Sequence, residues 1–275
     1  MKIFRRSIFF TIIILIMAVL YSIFIEPKLL VVKDYGVVID RGRDREIKVV
    51  QFTDTHLGEF YSLEQLKKAV KKINSLNPDI VVFTGDLIDN AYKYEEKNKI
   101  SEVLKEINAS IGKYAIYGNH DYGGGAVRYY RTIIEKSGFK VLRNSKETIN
   151  IGNKKINIFG VDDKLLGNFS VDKTMNGINK KDINLLLLHE PDLIDKFKSY
   201  PIDLALSGHS HGGQVYVPFY GPIVKNVLAE KYNKGFYEIN NSRFTKLYVN
   251  TGMGNTKLPF RFFNIPEISM FKIAI

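Results

Sequence analysis

Every histidine in this 275-residue chain stands just past a short apolar run, in the company of other metal-ligating residue types. Asp54 and His56 follow the run 47–52, and Asp86 follows 80–83. Asn119 and His120 follow 114–117, His189 follows 185–188, and His209 and His211 follow 203–206. If these runs are strands of an open α/β sheet, their carboxyl ends gather carboxylate, imidazole and amide groups in one crevice. Oxygen and nitrogen ligands without thiolate suit divalent manganese, iron or zinc better than copper. The pairs Asp54/His56 and His209/His211 are spaced i, i+2, so in extended backbone both members point to one side and can approach a common cation. Glycines at 85 and 118 permit tight turns that project the next residue, Asp86 or Asn119, into the crevice. A lone histidine after a strand is ordinarily a surface or hydrogen-bonded residue, but five of five in such places is not an accident of composition. The chain has no cysteine, which removes disulfides, thiolate zinc sites and cysteine nucleophiles together.

To bring those ends together, strands must alternate with helices. The run 47–52 reads as a strand, and Ser62 caps a helix whose Leu63, Leu66, Val70 and Ile73 recur at helical spacing. Pro78-Asp79 breaks the chain before the next strand, and further helices are expected near 95–108 and 126–137. Hairpins should turn at Gly152-Asn153 and at residues 240–242. Strands joined by crossover helices predict an α/β fold with parallel portions, and the hairpins predict a mixed second sheet. No linker splits residues 46–275, which are expected to form one domain.

The amino terminus has a different character. Lys2, Arg5 and Arg6 precede an apolar run from 8 to 25, which as a helix reaches about 27 Å, close to the hydrocarbon thickness of a bilayer. With no small-residue cleavage site before Glu26-Pro27, residues 1–26 read as a retained signal anchor, and 27–45 as a stalk. The basic flank predicts a cytoplasmic amino terminus, hence a single-pass protein of the cell membrane with its catalytic domain outside the cytoplasm. The net charge of +11 favours anionic partners. No dedicated nucleic-acid motif accompanies it, which leaves a phosphorylated small molecule or lipid as the anionic partner to expect, beside a merely lysine-rich surface that explains the charge equally well.

Taken together, Asp54-Thr55-His56, Gly85-Asp86-Leu87-Ile88-Asp89, Gly118-Asn119-His120-Asp121, His189-Glu190 and Gly208-His209-Ser210-His211 resemble, in content and order, the motif blocks of the calcineurin-like metallophosphoesterase superfamily. The resemblance implies a four-layer αββα sandwich of two mixed sheets. It also implies that Asp54, His56, Asp86 and His211 hold one divalent metal and that Asp86, Asn119, His189 and His209 hold a second. His120 would meet the leaving group as a general acid, with Asp89 orienting it. Two cations supply positive charge for a phosphate and a hydroxide near neutral pH, so hydrolysis needs no covalent enzyme intermediate. Protein phosphatases of the superfamily place an arginine after Gly-Asp-x-x-Asp; here Asn90-Ala91 follow Asp89, which argues against that activity. The anchor, the 208–214 segment and the tail 250–267 look like the membrane-anchored bacterial branch. That branch includes UDP-2,3-diacylglucosamine pyrophosphatases, an alternative activity here beside a catalytically idle metal-binding membrane protein. The aromatic stretches 217–222 and 258–263 are expected to form an apolar rim at the mouth, with Arg261 contacting phosphate.

Overall fold

The computed structural model describes residues 2–39, 45–241 and 243–275. In chain order its elements are α1 (Lys2–Phe24), β1 (Val31–Val38), β2 (Glu46–Phe52), α2 (Leu63–Asn74), β3 (Ile80–Phe83), α3 (Lys97–Lys105), β4 (Gly112–Ala115), α4 (Asn119–Tyr122), α5 (Tyr130–Lys136), β5 (Lys140–Val141), β6 (Ser145–Ile151), β7 (Lys154–Gly160), α6 (Val171–Thr174), β8 (Ile183–Leu187), β9 (Leu204–Ser207), β10 (Tyr216–Val217), β11 (Gly221–Pro222), β12 (Gly235–Ile239), β13 (Thr245–Val249) and β14 (Glu267–Ala274). Two mixed six-stranded sheets carry the fold, in the orders β1-β14-β2-β3-β4-β5 and β12-β13-β9-β8-β7-β6.

Strands that are apolar at every position need cover on both faces. In β2, Ile47 and Val49 face the core between the sheets, while Val50 and Phe52 face the helices α2, α3 and α5. Likewise in β8, Leu185 and Leu187 face the inter-sheet core, and Leu186 packs on the outer side against Leu193, Ile194 and Phe197. That outer layer is thin: it consists of α6 and a 3₁₀ segment, Pro191–Phe197, rather than long helices. The expected cap on α2 is present, with Ser62 accepting from Gln65 N–H and the Gln65 side chain accepting from Ser62 N–H. The expected hairpins are β6–β7 and β12–β13, although Ser242 in the second turn lies outside the described residues.

Two features depart from expectation. Residues 31–38, expected in a stalk, form β1, the edge strand paired in parallel with β14 from Val31 opposite Glu267 to Val38 opposite Ala274. The stalk reading failed because a parallel edge partner more than two hundred residues away leaves no local turn signal; residues 40–44 lie outside the described set. Also, α1 is fastened to the domain. The Arg261 N–H donates to Ser22 O (2.9 Å), and the buried Glu26 carboxylate accepts from the N–H groups of Phe263 and Asn264. Beyond that junction the apolar side chains of α1 stay exposed, and the helix is long and apolar enough to cross a membrane.

Candidate active site

Parallel pairing of β2 with β3 sets Asp54 and Asp86 side by side past the strand ends, with Asp54 N–H on Gly85 O (2.9 Å) and His56 N–H on Asp86 O (3.1 Å). In the second sheet, Gly208 N–H on His189 O (3.1 Å) joins the ends of β8 and β9 in the same way. The sheets then meet: His209 N–H donates to Asp54 Oδ2 (3.0 Å), and His189 Nδ1 lies 2.7 Å from Thr84 O.

The i, i+2 pairs do converge, but not through extended backbone. Asp54, His56, Asp86, His209 and His211 all adopt left-handed φ, between 41° and 67°. Each such non-glycine residue stores on the order of 1–3 kcal/mol, a cost the surrounding hydrogen bonds must hold in place. Gly85 also has positive φ (99°), as expected, whereas Gly118 is extended and serves space instead. A Cβ at Gly118 would lie 2.3 Å from Asp86 Oδ1 and 2.7 Å from His189 Cε1.

Two ligand clusters result. In one, His211 Nε2 lies 3.4 Å and His56 Nε2 3.7 Å from Asp54 Oδ1, and the two imidazole nitrogens face each other at 3.0 Å. In the other, Asp86 Oδ2 lies 3.2 Å from His189 Nε2, with His209 alongside. The same Asp86 oxygen is 3.5 Å from His56 Nε2, so this carboxylate stands between the clusters. Asp54, His56, Asp86, His189, His209 and His211 are all buried, yet His189 Nε2 and the nearby Asn119 Oδ1 have no hydrogen-bond partner. Buried polar groups are ordinarily paired, so polar atoms left without partners beside buried carboxylates fit a cation site.

Charges in the cluster tell the same story. Burial would raise the Asp54 and Asp86 carboxyls, but the surrounding imidazoles outweigh it and hold both below the usual range. Burial opposes protonation of His56 and His189, yet the carboxylates prevail, lifting His56 to about 9 and His189 well above its ordinary value. Burial wins at the other pair, pushing His209 down to about 4 and His211 well down. The carboxylates thus favour positive charge at the centre of the cluster.

A supporting shell surrounds these groups, and sequence reasoning missed most of it. His209 Nε2 meets Val227 O (2.8 Å), which leaves Nδ1 for a ligand, and the Asn226 amide donates to His209 O (2.6 Å). Asp121, fully buried, accepts from the N–H groups of Asp86, Leu87 and Gly118 at 2.8 Å each, locking the second and third motif loops together. Burial, with the nearby Asp86 carboxylate, pushes its carboxyl up to about 8. The Asp at the end of Gly118-Asn119-His120-Asp121 was the available signal.

Asn119 and His120 lie on the short turn α4 rather than at a bare strand end. His120 is part-exposed at the lip of a crevice of about 190 Å³, which His56, Asp86, Asn119, His209 and His211 also line. Its Nδ1 lies 3.0 Å from the Asp89 backbone carbonyl and 3.4 Å from the Asp89 carboxylate, so Asp89 does hold this ring, through both groups. Its N–H donates to Asp86 Oδ1 (2.8 Å).

Arg261 does not reach the crevice mouth. It is fully buried, with its guanidinium donating to Gly254 O (2.6 Å), Thr251 O (3.0 Å), Asn264 O (3.2 Å) and Asn255 Oδ1 (2.8 Å). Nη2 also stands 3.5 Å behind His211 Nδ1. A loop that folds back on itself leaves inward carbonyls, and a guanidinium fork satisfies several at once. Arg261→Ala is therefore expected to lower unfolding stability by on the order of 3 kcal/mol, the cost of stranding those acceptors. Urea denaturation measures this, and a loss of substrate affinity at unchanged stability would restore the substrate-contact reading.

Comparison with known proteins decides the family. The description "Calcineurin-like phosphoesterase" matches residues 47–213, which contain every one of the strand-end ligand residues. The chain belongs to the calcineurin-like phosphoesterases. An uncharacterized metallophosphoesterase of Bacillus subtilis, YkuE, is 39% identical over 92% of this chain and 88% of that protein. The UDP-2,3-diacylglucosamine pyrophosphatase LpxG of Chlamydia muridarum is 29% identical over 82% of this chain and 83% of that protein. An uncharacterized metallophosphoesterase of Aquifex aeolicus is 30% identical over 90% and 94% respectively. This phosphoesterase is accordingly a metal-dependent hydrolase of phosphoester bonds, and the family's two divalent metals find matching ligand clusters in it.

Because the carboxylates raise His56 to about 9 and His189 above its ordinary value, metal uptake near pH 7 is expected to release protons, and affinity should fall as pH drops. Calorimetric titration in buffers of differing ionisation enthalpy reads this directly. Heats that do not change with the buffer would mean that both rings are already neutral.

Proposed function

We propose that this chain is a membrane-anchored, two-metal phosphoesterase in which Asp54, His56, Asp86 and His211 hold one cation and Asp86, Asn119, His189 and His209 hold the other. The observation that carries this reading is the position of Asp86, one oxygen of which stands 3.2 Å from His189 Nε2 and 3.5 Å from His56 Nε2. When bound, the cations, with manganese the expected pair, supply Lewis-acid charge for the phosphoryl oxygens and acidify water.

The chain's own groups do the rest. Asp86 would hold the cations with its carboxylate while its Oδ1 accepts from the His120 N–H, so one side chain would set both the ligand and the acid. His120, whose Nδ1 lies against the Asp89 carbonyl, would protonate the departing oxygen from Nε2 as an imidazolium, returning to the neutral Nδ1–H ring. The hydrogen bonds from His209 and His189 to backbone carbonyls fix their tautomers, so each presents a single lone pair. α1 anchors the enzyme, and the positive-inside pattern of Lys2, Arg5 and Arg6 supports a catalytic domain outside the cytoplasm.

The test is turnover of bis-p-nitrophenyl phosphate by the full chain in nanodiscs. Activity that requires manganese and is abolished by a chelator supports the reading. Manganese binding without turnover of mono- or diesters would support an idle metal-binding protein instead. Similarity to the LpxG pyrophosphatases favours an anhydride-linked lipid as a second substrate form, for which UDP-2,3-diacylglucosamine is the direct assay.

A further inference from the structure

The crevice does not end at the ligand clusters. His211, Asn226, Thr256 and Lys257 form a wall shared with a second cavity of about 290 Å³, which continues past Val224 and Leu258. Val215 and Phe260 form a wall of that cavity and of a third, about 320 Å³, whose other side is α1 itself at Leu15, Val19 and Ile23. From Ser22, where the domain grips the helix, to Leu15 is about 10 Å of helix. With α1 as a membrane anchor, the third cavity would open beside lipid chains.

We propose that these cavities are a channel for one hydrocarbon chain of an amphiphilic phosphate substrate, which enters from the bilayer along α1 and places its phosphate in the crevice. This rests on the reading of the crevice as a phosphoesterase centre and of α1 as a membrane anchor.

Three observations favour hydrocarbon over a nucleoside or peptide. The middle cavity is lined along its length by Val215, Ile223, Val224, Leu258 and Phe260, and its amide side chains are already engaged: Gln214 Oε1 accepts from Thr256 N–H (2.9 Å), and Asn226 donates to His209 O. Apolar residues around the channel are exposed where water would penalise them, with Phe219 at the β10–β11 tip fully exposed, and Ile223, Val224 and Val227 each more than 60% exposed. That hairpin is tied to the α1 junction, because Tyr216 N–H donates to Phe262 O (2.9 Å) and Phe262 packs against α1. At the inner end, Lys257 lines both the crevice and the middle cavity and offers a cation for the substrate's phosphate.

Two measurements on the full chain in nanodiscs test the channel. The first compares methyl, butyl and octyl p-nitrophenyl phosphates with manganese bound, so that the leaving group is constant and only the chain grows. kcat/KM is expected to rise at least about tenfold from methyl to octyl. Equal values along the series would overturn the channel while leaving the phosphoesterase reading intact; no hydrolysis of any ester, methyl included, would overturn that reading instead. The second needs neither metal nor turnover. The chain contains no tryptophan, so the Phe260→Trp variant carries a single reporter on the wall between the outer two cavities. Its emission should be quenched saturably by 8-bromooctylphosphonate, with no such quenching in Phe244→Trp at the far β12–β13 turn. Equal behaviour of the two variants would exclude a hydrocarbon site at Phe260.

Discussion

Replacing Asp86 by asparagine is expected to lower turnover by at least about 10³-fold and to leave the protein folded with fewer than two bound metals. The substitution keeps the shape of the side chain but removes its charge and can turn an N–H donor toward His56 and His189. Those rings sit 3.5 and 3.2 Å from the oxygen that is lost, so both clusters are affected by one change. The scaffold should survive, because the backbone N–H groups at 86 and 87 remain bonded to Asp121. Rate, metal content by elemental analysis and circular dichroism together give the answer. An Asp86→Asn variant with full activity and two metals would remove the shared carboxylate from the account.

His120→Asn should behave differently. A loss of roughly 10² to 10⁴ in kcat is expected for substrates with alkoxide leaving groups, at unchanged metal content. The loss should shrink for p-nitrophenyl esters, because a stable leaving anion needs no proton. His120 lies at the lip of the crevice and hydrogen-bonds Asp86 through its backbone N–H, which the substitution keeps, so its side chain can be removed without emptying the clusters. Equal losses for good and poor leaving groups would exclude proton donation by this ring.

The metal centre was legible because of how the strands are built. β2, β3, β8 and β9 bury apolar residues on both faces, so their runs are dominated by apolar side chains and the polar residues that end them stand out. The family motifs then supplied the proposed ligand sets. What the residues did not reveal is how the backbone delivers them. Side-chain alternation predicted extended pairs, whereas Asp54, His56, His209 and His211 converge through left-handed turns, a conformation that residue type alone does not announce.

Other misses share a cause in long-range contact. β1 is polar at Lys33 and Asp34 and pairs only with the far end of the chain, so it read as a tether. Arg261 read as a surface cation because arginine is usually exposed. Its true surroundings are carbonyls of the 251–264 loop, which nothing short of the folded loop brings inward. Asp121 was visible as part of a motif, but its three backbone donors come from two separate loops. Function at this site thus depends on a shell of polar contacts that stabilises a strained backbone, and that shell is the part hardest to read from spacing.

The most direct measurement is anomalous diffraction from crystals grown with manganese. The account predicts two peaks, one enclosed by Asp54, His56, Asp86 and His211 and the other by Asp86, Asn119, His189 and His209, with Asp86 touching both. A single peak, or ions bound away from Asp86, would contradict it.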